Sequence, residues 1–242
     1  MRRQLPRKLI AEFLGSLLLA AVVIGSGIAA QRLSPSDVGL QLVENAAATA
    51  AGLYAIILVF GPVSGAHFNP VVSLVDATFG GLPWRDALAY MTTQITGCIT
   101  GTVLANVMFS AEVISISTTH RASLAHGISE VVATAGLLLV IFSLARSGRT
   151  QHTPTAVGAY IGAAYLFTSS TSFANPAITI GRAFSDPFAG IAPASIPAFI
   201  LAQLIGAALA ILLIRTLYPG LTTDHAANIL LPHPVTEPTR GR

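Results

Sequence analysis

Six apolar stretches run along the chain, at about residues 9–30, 39–60, 86–109, 123–145, 154–170 and 195–215. Each approaches the run of about 20 apolar residues that crosses a bilayer as a helix. The fifth is short and its boundary is soft. Two further segments place Asn-Pro deep in apolar surroundings: "HFNPVVSL" at 67–74 and "FANPAITI" at 173–180. Asparagine is among the strongest N-cap residues, and proline is favoured at the first helical position. "NPVVSLVDATFG" and "NPAITIGRAFSD" therefore predict helix starts capped by Asn69-Pro70 and Asn175-Pro176. Each predicted helix is about ten residues, roughly 15 Å, which is half of a hydrocarbon core of about 30 Å. Neither can span alone.

The polar interruptions repeat. Glu12 in "AEFLGSLLL" pairs with Glu130 in "SEVVATAGLLL", Asn69 with Asn175, and "QITG" at 94–97 with "QLIG" at 203–206. The offsets are 118, 106 and 109 residues, so order is kept while loop lengths drift. Repeat one covers about 8–109 and repeat two about 122–215, within a single membrane domain spanning 1–242. Three spans per repeat is an odd number, so the second copy enters the membrane from the opposite side. In such inverted repeats the sites form at the repeat interface near the midplane. The predicted fold is an all-α membrane protein of six transmembrane helices plus two re-entrant half-helices.

Composition supports a lipid solvent. Apolar residues make up 53% and charged residues 10% of the chain, against about 25% charged in a soluble domain. Net charge is +3, but the basic residues follow topology. With a cytoplasmic N-terminus, Arg2, Arg3, Arg7, Lys8, Arg85, Arg146, Arg149, Arg215, Arg240 and Arg242 fall inside, and only Arg32, Arg121 and Arg182 fall outside. That is the positive-inside asymmetry, and it predicts both termini in the cytoplasm with no nucleic-acid partner. Residues 1–30 imitate a signal peptide, but the long apolar run and Glu12 argue for a retained span. Cys98 lies mid-span, and as the only cysteine it cannot form an internal disulfide. His225 and His233 in the 218–242 tail, expected to be a flexible end, read as incidental. No metal, no cofactor and no enzymatic constellation is expected.

Two half-helices meeting N-terminus to N-terminus direct unpaired N–H groups and positive dipole ends at the bilayer centre. Cations crossing there meet a barrier, whereas the Asn69 and Asn175 amides can replace hydrogen bonds of a neutral solute. The plainer alternative is a packed re-entrant helix cap. Glu12 and Glu130 are ionisable groups inside spans and hence functional candidates. Glu44, near a span end, has no counterpart in the other repeat. Gly97-x-x-x-Gly101 permits close helix approach and reads as packing within the bundle.

"SGAHFNPVVSL", "SFANPAIT" and "AEFLG" resemble the major intrinsic protein family of aquaporins and aquaglyceroporins, over about residues 8–215. The resemblance implies one pore per protomer in a homotetramer, with Asn69 and Asn175 donating to solutes at the central constriction. It also implies that Glu12 and Glu130 brace the re-entrant loops, with proton relay as the alternative. His67 would line the cytoplasmic vestibule, or be satisfied by backbone. The first motif departs from the common form by carrying Val71 after Asn-Pro.

The family's outer filter draws on span two, span five and the second loop, which ungapped spacing places at Thr49, Ala163, Ser172 and Ile178, with Gly162 as the alternative in span five. Ile178 stands where most members carry arginine, and no aromatic occupies the other three places. A wider, uncharged constriction is expected, since pore diameter and lining donors set selectivity. Arg182, about one turn beyond Ile178, either restores a charge at the outer mouth or faces water and headgroups. The pattern is similar to a bacterial subgroup linked to arsenic resistance. It implies passive passage of polyols, water, arsenite and methylated arsenicals through the plasma membrane. The alternatives are a water-selective pore and, with little intramembrane charge to support it, an ion-coupled transporter.

Overall fold

The computed structural model describes residues 4–219. The expected tail lies outside the described residues from Gly220 onward, with His225, His233, Arg240 and Arg242, as do Arg2 and Arg3. All regular structure in the described residues is helical, in eight α-helices. Six are long: α1 (Leu5–Leu33), α2 (Val38–Ser64), α4 (Trp84–Met108), α5 (Leu124–Arg146), α6 (Thr153–Phe167) and α8 (Ile196–Leu217). Two are short: α3 (Pro70–Phe79) and α7 (Pro176–Gly181).

Among the described residues, four segments are both long and apolar enough to cross a membrane: α1, α2, α5 and Pro193–Leu217, which contains α8. The other two expected spans exist as helices but read differently. Helix α4 is diluted by threonines and Gln94. Helix α6 has fifteen residues, or roughly 22 Å at 1.5 Å per residue, and the chain turns extended at Thr168 rather than continuing to 170. The expected second half-helix is also shorter. Its α pattern ends at Gly181 and tightens into a 3-10 turn, Arg182–Phe184, as the Arg182 side chain reaches the Ala189 carbonyl.

Helix α1 packs on α2 and α4, α5 packs on α6 and α8, and α2 against α6 joins the halves. Each half-helix touches both halves: α3 contacts α4 and α8, and α7 contacts α8 and α4. Small residues make the close crossings. A Cβ on Gly101 would lie 2.0 Å from the Leu17 carbonyl oxygen, and one on Gly97 2.6 Å from that of Phe13. The Gly97–Gly101 pair therefore serves packing of α4 on α1, and buried Cys98 between them lies against Ser16.

Burial is inverted relative to a soluble protein. Glu12, Glu130, Gln94 and Gln203 are fully enclosed, while Leu88, Leu124, Leu201 and Leu212 are exposed. An apolar exterior around a polar interior is the pattern expected of a chain whose solvent is lipid, where every backbone polar group must be satisfied internally.

Candidate functional site

The two half-helices begin as their sequence dictates. Asn69 and Asn175 both have extended backbone, and their Oδ1 atoms accept from Val71 N at 3.0 Å and Ala177 N at 2.9 Å. Each Nδ2 then crosses to the other repeat. Asn69 donates to the Ala174 carbonyl and Asn175 to the Phe68 carbonyl, both at 2.8 Å. A carboxamide nitrogen carries two hydrogens, so each asparagine keeps one donor beyond its structural tie. Both residues line a single cavity of about 60 Å³.

The loops that deliver these asparagines are strained in matching ways. Ala66 and Phe68 have φ of 49° and 48°, and Ser172 and Ala174 have φ of 49° and 48°. Such left-handed non-glycine residues cost of order 1–3 kcal/mol each and persist only when the surroundings over-determine them. Here the surroundings are the two buried glutamates. Glu12 accepts from His67 N at 3.0 Å and Phe68 N at 2.8 Å. Glu130 accepts from Phe173 N and Ala174 N, both at 2.9 Å.

A glutamine completes each network. Gln94 Nε2 donates to Glu12 at 2.7 Å and to Ser73 Oγ at 3.0 Å. Gln203 Nε2 donates to Glu130 at 2.7 Å and to Thr179 Oγ1 at 2.9 Å. Ser73 and Thr179 stand four residues after the two asparagines, so each glutamine ties the carboxylate to the half-helix itself. With every oxygen engaged by donors, the carboxylates are held in place rather than presented to a solute.

Of the four positions expected at the outer filter, Thr49, Ser172 and Ile178 line the cavity and Ala163 does not. Ala163 is exposed on the outer side of α6. Gly162 packs on α2, where an added Cβ would lie 3.0 Å from that of Ala50. The α6 residue on the cavity is Tyr165, which accepts a hydrogen bond of 3.2 Å from Thr49 Oγ1. Two residues along a helix is about 200°, so ungapped counting reached the opposite face. The periodic signal was present: Val157, Ile161 and Tyr165 recur every four residues, and all three line the cavity.

Arg182 also lies on the cavity rather than facing headgroups, and it is 1% exposed. Its guanidinium carbon sits 3.5 Å from the centre of the Phe173 ring. Behind it, Arg121 of the α4–α5 connection donates to the carbonyls of Gly190 at 2.8 Å, Phe188 at 2.6 Å and Ser170 at 3.4 Å. Burial lowers the Arg121 pKa from its ordinary value, while attraction from Tyr165 and Glu130 opposes the shift. Sequence reasoning missed Arg121 and Phe173, because their roles come from loops folding back over the second repeat, and missed Tyr165 by counting to the wrong face of α6.

His67 also lines the cavity. Its Nδ1 is 3.0 Å from Ser73 Oγ and its Nε2 3.5 Å from Asp76 of α3. Glu44 accepts from Ser34 Oγ at 2.9 Å and is not among the cavity-lining residues. Among the described residues no group of His, Cys, Asp and Glu is arranged to hold a metal ion.

Six long helices with two half-helices meeting at paired asparagines define an integral, multi-pass membrane protein of the channel-forming type. The major intrinsic protein family profile matches residues 2–172, and the chain belongs to that family. It is 47% identical over 213 residues to aquaglyceroporin AqpS of Rhizobium meliloti (strain 1021), covering 88% of this chain and 91% of that one. It is 30% identical over 151 residues to the glycerol uptake facilitator protein of Streptococcus pneumoniae (strain ATCC BAA-255 / R6), covering 57% of this chain and 64% of that one. Among solved structures, the aquaglyceroporin from Plasmodium falciparum shares the fold at a TM-score of 0.65 and 19% identity, covering 88% of this chain and 95% of that one.

Proposed function

We propose that the protein is a passive channel for small neutral solutes, including glycerol-like polyols, metalloid hydroxides such as arsenite, methylated arsenicals and water. The observation that carries this reading is the reciprocal Asn69–Ala174 and Asn175–Phe68 tie, which leaves one amide hydrogen of each asparagine on the cavity. Solutes exchange water hydrogen bonds for these donors, while the facing half-helix N-termini oppose cations. Likeness to an aquaglyceroporin and a glycerol facilitator supports the polyol assignment. In this reading Thr49, Ser172 and Ile178 form part of the outer constriction, His67 the cytoplasmic vestibule, and Glu12 and Glu130 the braces. The channel assembles as a homotetramer in a bacterial plasma membrane, with both termini cytoplasmic. No catalytic step or cofactor is involved.

A water-selective pore is the second reading. It is favoured by Tyr165 and Arg182, which return an aromatic ring and a cation to the cavity wall. Swelling of proteoliposomes in water, glycerol, urea and arsenous acid gradients separates the two. The broad channel predicts solute permeation well above that of empty vesicles; water permeation alone would select the second reading.

A further inference from the structure

The segments that lead to the two asparagines match residue by residue, 64–69 with 170–175, at a constant offset of 106. The second is the harder to hold. Gly65, at φ 88°, is matched by Thr171 at φ 61°, and a positive φ is a genuine outlier for a β-branched residue. Its glutamate also has fewer donors. Ser64 Oγ donates to Glu12 at 2.6 Å, whereas the matching Ser170 Oγ donates to Thr168 Oγ1.

In the first copy Tyr90 of α4 completes the hold. Its hydroxyl donates to the Ser64 carbonyl at 3.0 Å, and its ring meets that of His67 edge-on with centroids 5.4 Å apart. Tyr90 stands four residues before Gln94, and the residue four before Gln203 is Phe199. Phe199 keeps the ring contact, meeting Phe173 edge-on at 5.0 Å. It has no hydroxyl to offer the Ser170 carbonyl.

That carbonyl accepts instead from Arg121 Nη1 at 3.4 Å. The bond is long, but its donor is fixed by others. Nε and Nη2 of the same guanidinium donate to Gly190 at 2.8 Å and Phe188 at 2.6 Å, and the Arg121 backbone N–H donates to Ser195 Oγ at 3.0 Å. A guanidinium is a rigid planar fork, so these bonds set where Nη1 points. Its carbon also lies 5.4 Å from the centre of the Phe173 ring.

We propose that Arg121 is a positioning residue for the second asparagine segment, supplying from the α4–α5 connection the donor that Tyr90 gives the first and Phe199 lacks. Arg121 is not among the cavity-lining residues. It acts through Ser172 and Asn175, which follow Ser170 on the same strained segment and line the cavity. A polyol that meets several wall groups at once depends on their alignment more than water does. The proposal rests on the reading of the cavity as a solute path.

The test uses the full chain in proteoliposomes, as wild type, Arg121→Gln, Arg121→Lys, Arg121→Gln with Phe199→Tyr, Tyr90→Phe and Arg32→Gln. Arg32 is the control, since it too donates to a carbonyl and covers a ring, both of Phe109. Backbone hydrogen exchange is followed over 64–69 and 170–175, together with the ratio of glycerol to water flux. Arg121→Gln should speed exchange several-fold over 170–175 alone and lower the flux ratio several-fold. Arg121→Lys should fall between, because a single ammonium does not reproduce the fork. Adding Phe199→Tyr to Arg121→Gln should restore much of both, by returning a hydroxyl to the Ser170 carbonyl. Tyr90→Phe should instead speed exchange over 64–69, and Arg32→Gln should match the wild type. If Arg121→Gln does not fold, Arg121→Lys with and without Phe199→Tyr decides by the same readouts. Wild-type exchange over 170–175 in folded Arg121 variants, equal acceleration of both segments, or a folded double variant without recovery would overturn the proposal. Absence of downhill flux in the wild type would instead remove the channel reading, while hydrogen exchange still judges the hold on the segment.

Discussion

Asn69 donates at 2.8 Å to the carbonyl of Ala174, the residue immediately before the second asparagine. The two halves of the chain are thereby locked by the same groups that face the cavity. Replacing Asn69 with alanine removes an N-cap and a buried hydrogen bond. A loss of about 2 kcal/mol is expected. Asn175→Ala should cost a similar amount, because its cap and its tie are equivalent. Thermal unfolding in detergent measures both, and a large inequality would show that the halves are not equivalently tied.

The glutamate networks predict an asymmetry between isosteres. Glu130→Gln keeps the shape but turns a group that only accepts toward three donors: Phe173 N, Ala174 N and Gln203 Nε2. One amide face must then meet a donor with a donor, and hydrogen bonds to a charged group are worth about 1.5–3 kcal/mol each. A lowered unfolding temperature and a fall in solute flux are expected together. Unchanged stability with abolished flux would point to proton relay.

Helix crossing gives a packing prediction. Gly101→Ala places a carbon 2.0 Å from the Leu17 carbonyl oxygen, whereas Gly127→Ala meets nothing within 4 Å. Overpacking of this kind costs about 1–3 kcal/mol. The unfolding midpoint should fall for Gly101→Ala alone, and equal midpoints would contradict the observed approach of α4 to α1.

Ile178→Arg adds a second guanidinium one turn from Arg182, on the same cavity. Glycerol flux should fall more than water flux, because the larger side chain narrows the path and the two cations repel. Stopped-flow light scattering on proteoliposomes reads both rates. Equal relative change in the two would place Ile178 away from the constriction.

The asparagine caps were legible in the sequence because they obey a local rule, whereas Glu12, Glu130, Gln94 and Gln203 showed only as repeated polar interruptions, with bracing by the glutamates implied by the family resemblance. Asn-Pro favours a helix start, and the order of glutamate, Asn-Pro and glutamine repeats although Glu12 to Gln94 is 82 residues and Glu130 to Gln203 is 73. Tyr165 was not legible by counting, since a loop of undetermined length separates α6 from Asn175 and a slip of two residues reverses the helix face. Arg182 was visible as a residue, but its burial depends on Phe173 and the Ala189 carbonyl, two loop elements with no sequence periodicity. Helical patterns announce which face is buried. Loops folded over them, held by carbonyls as Arg121 is, do not.

The central claim is downhill movement of neutral solute through the asparagine-lined cavity without coupled charge. The direct measurement is glycerol flux in proteoliposomes with current recorded in parallel, before and after ionophores collapse all ion gradients. The account predicts flux that rises in proportion to the glycerol gradient, carries no current and is unaffected by the ionophores. Flux that saturates and stops when the ion gradients collapse would contradict it.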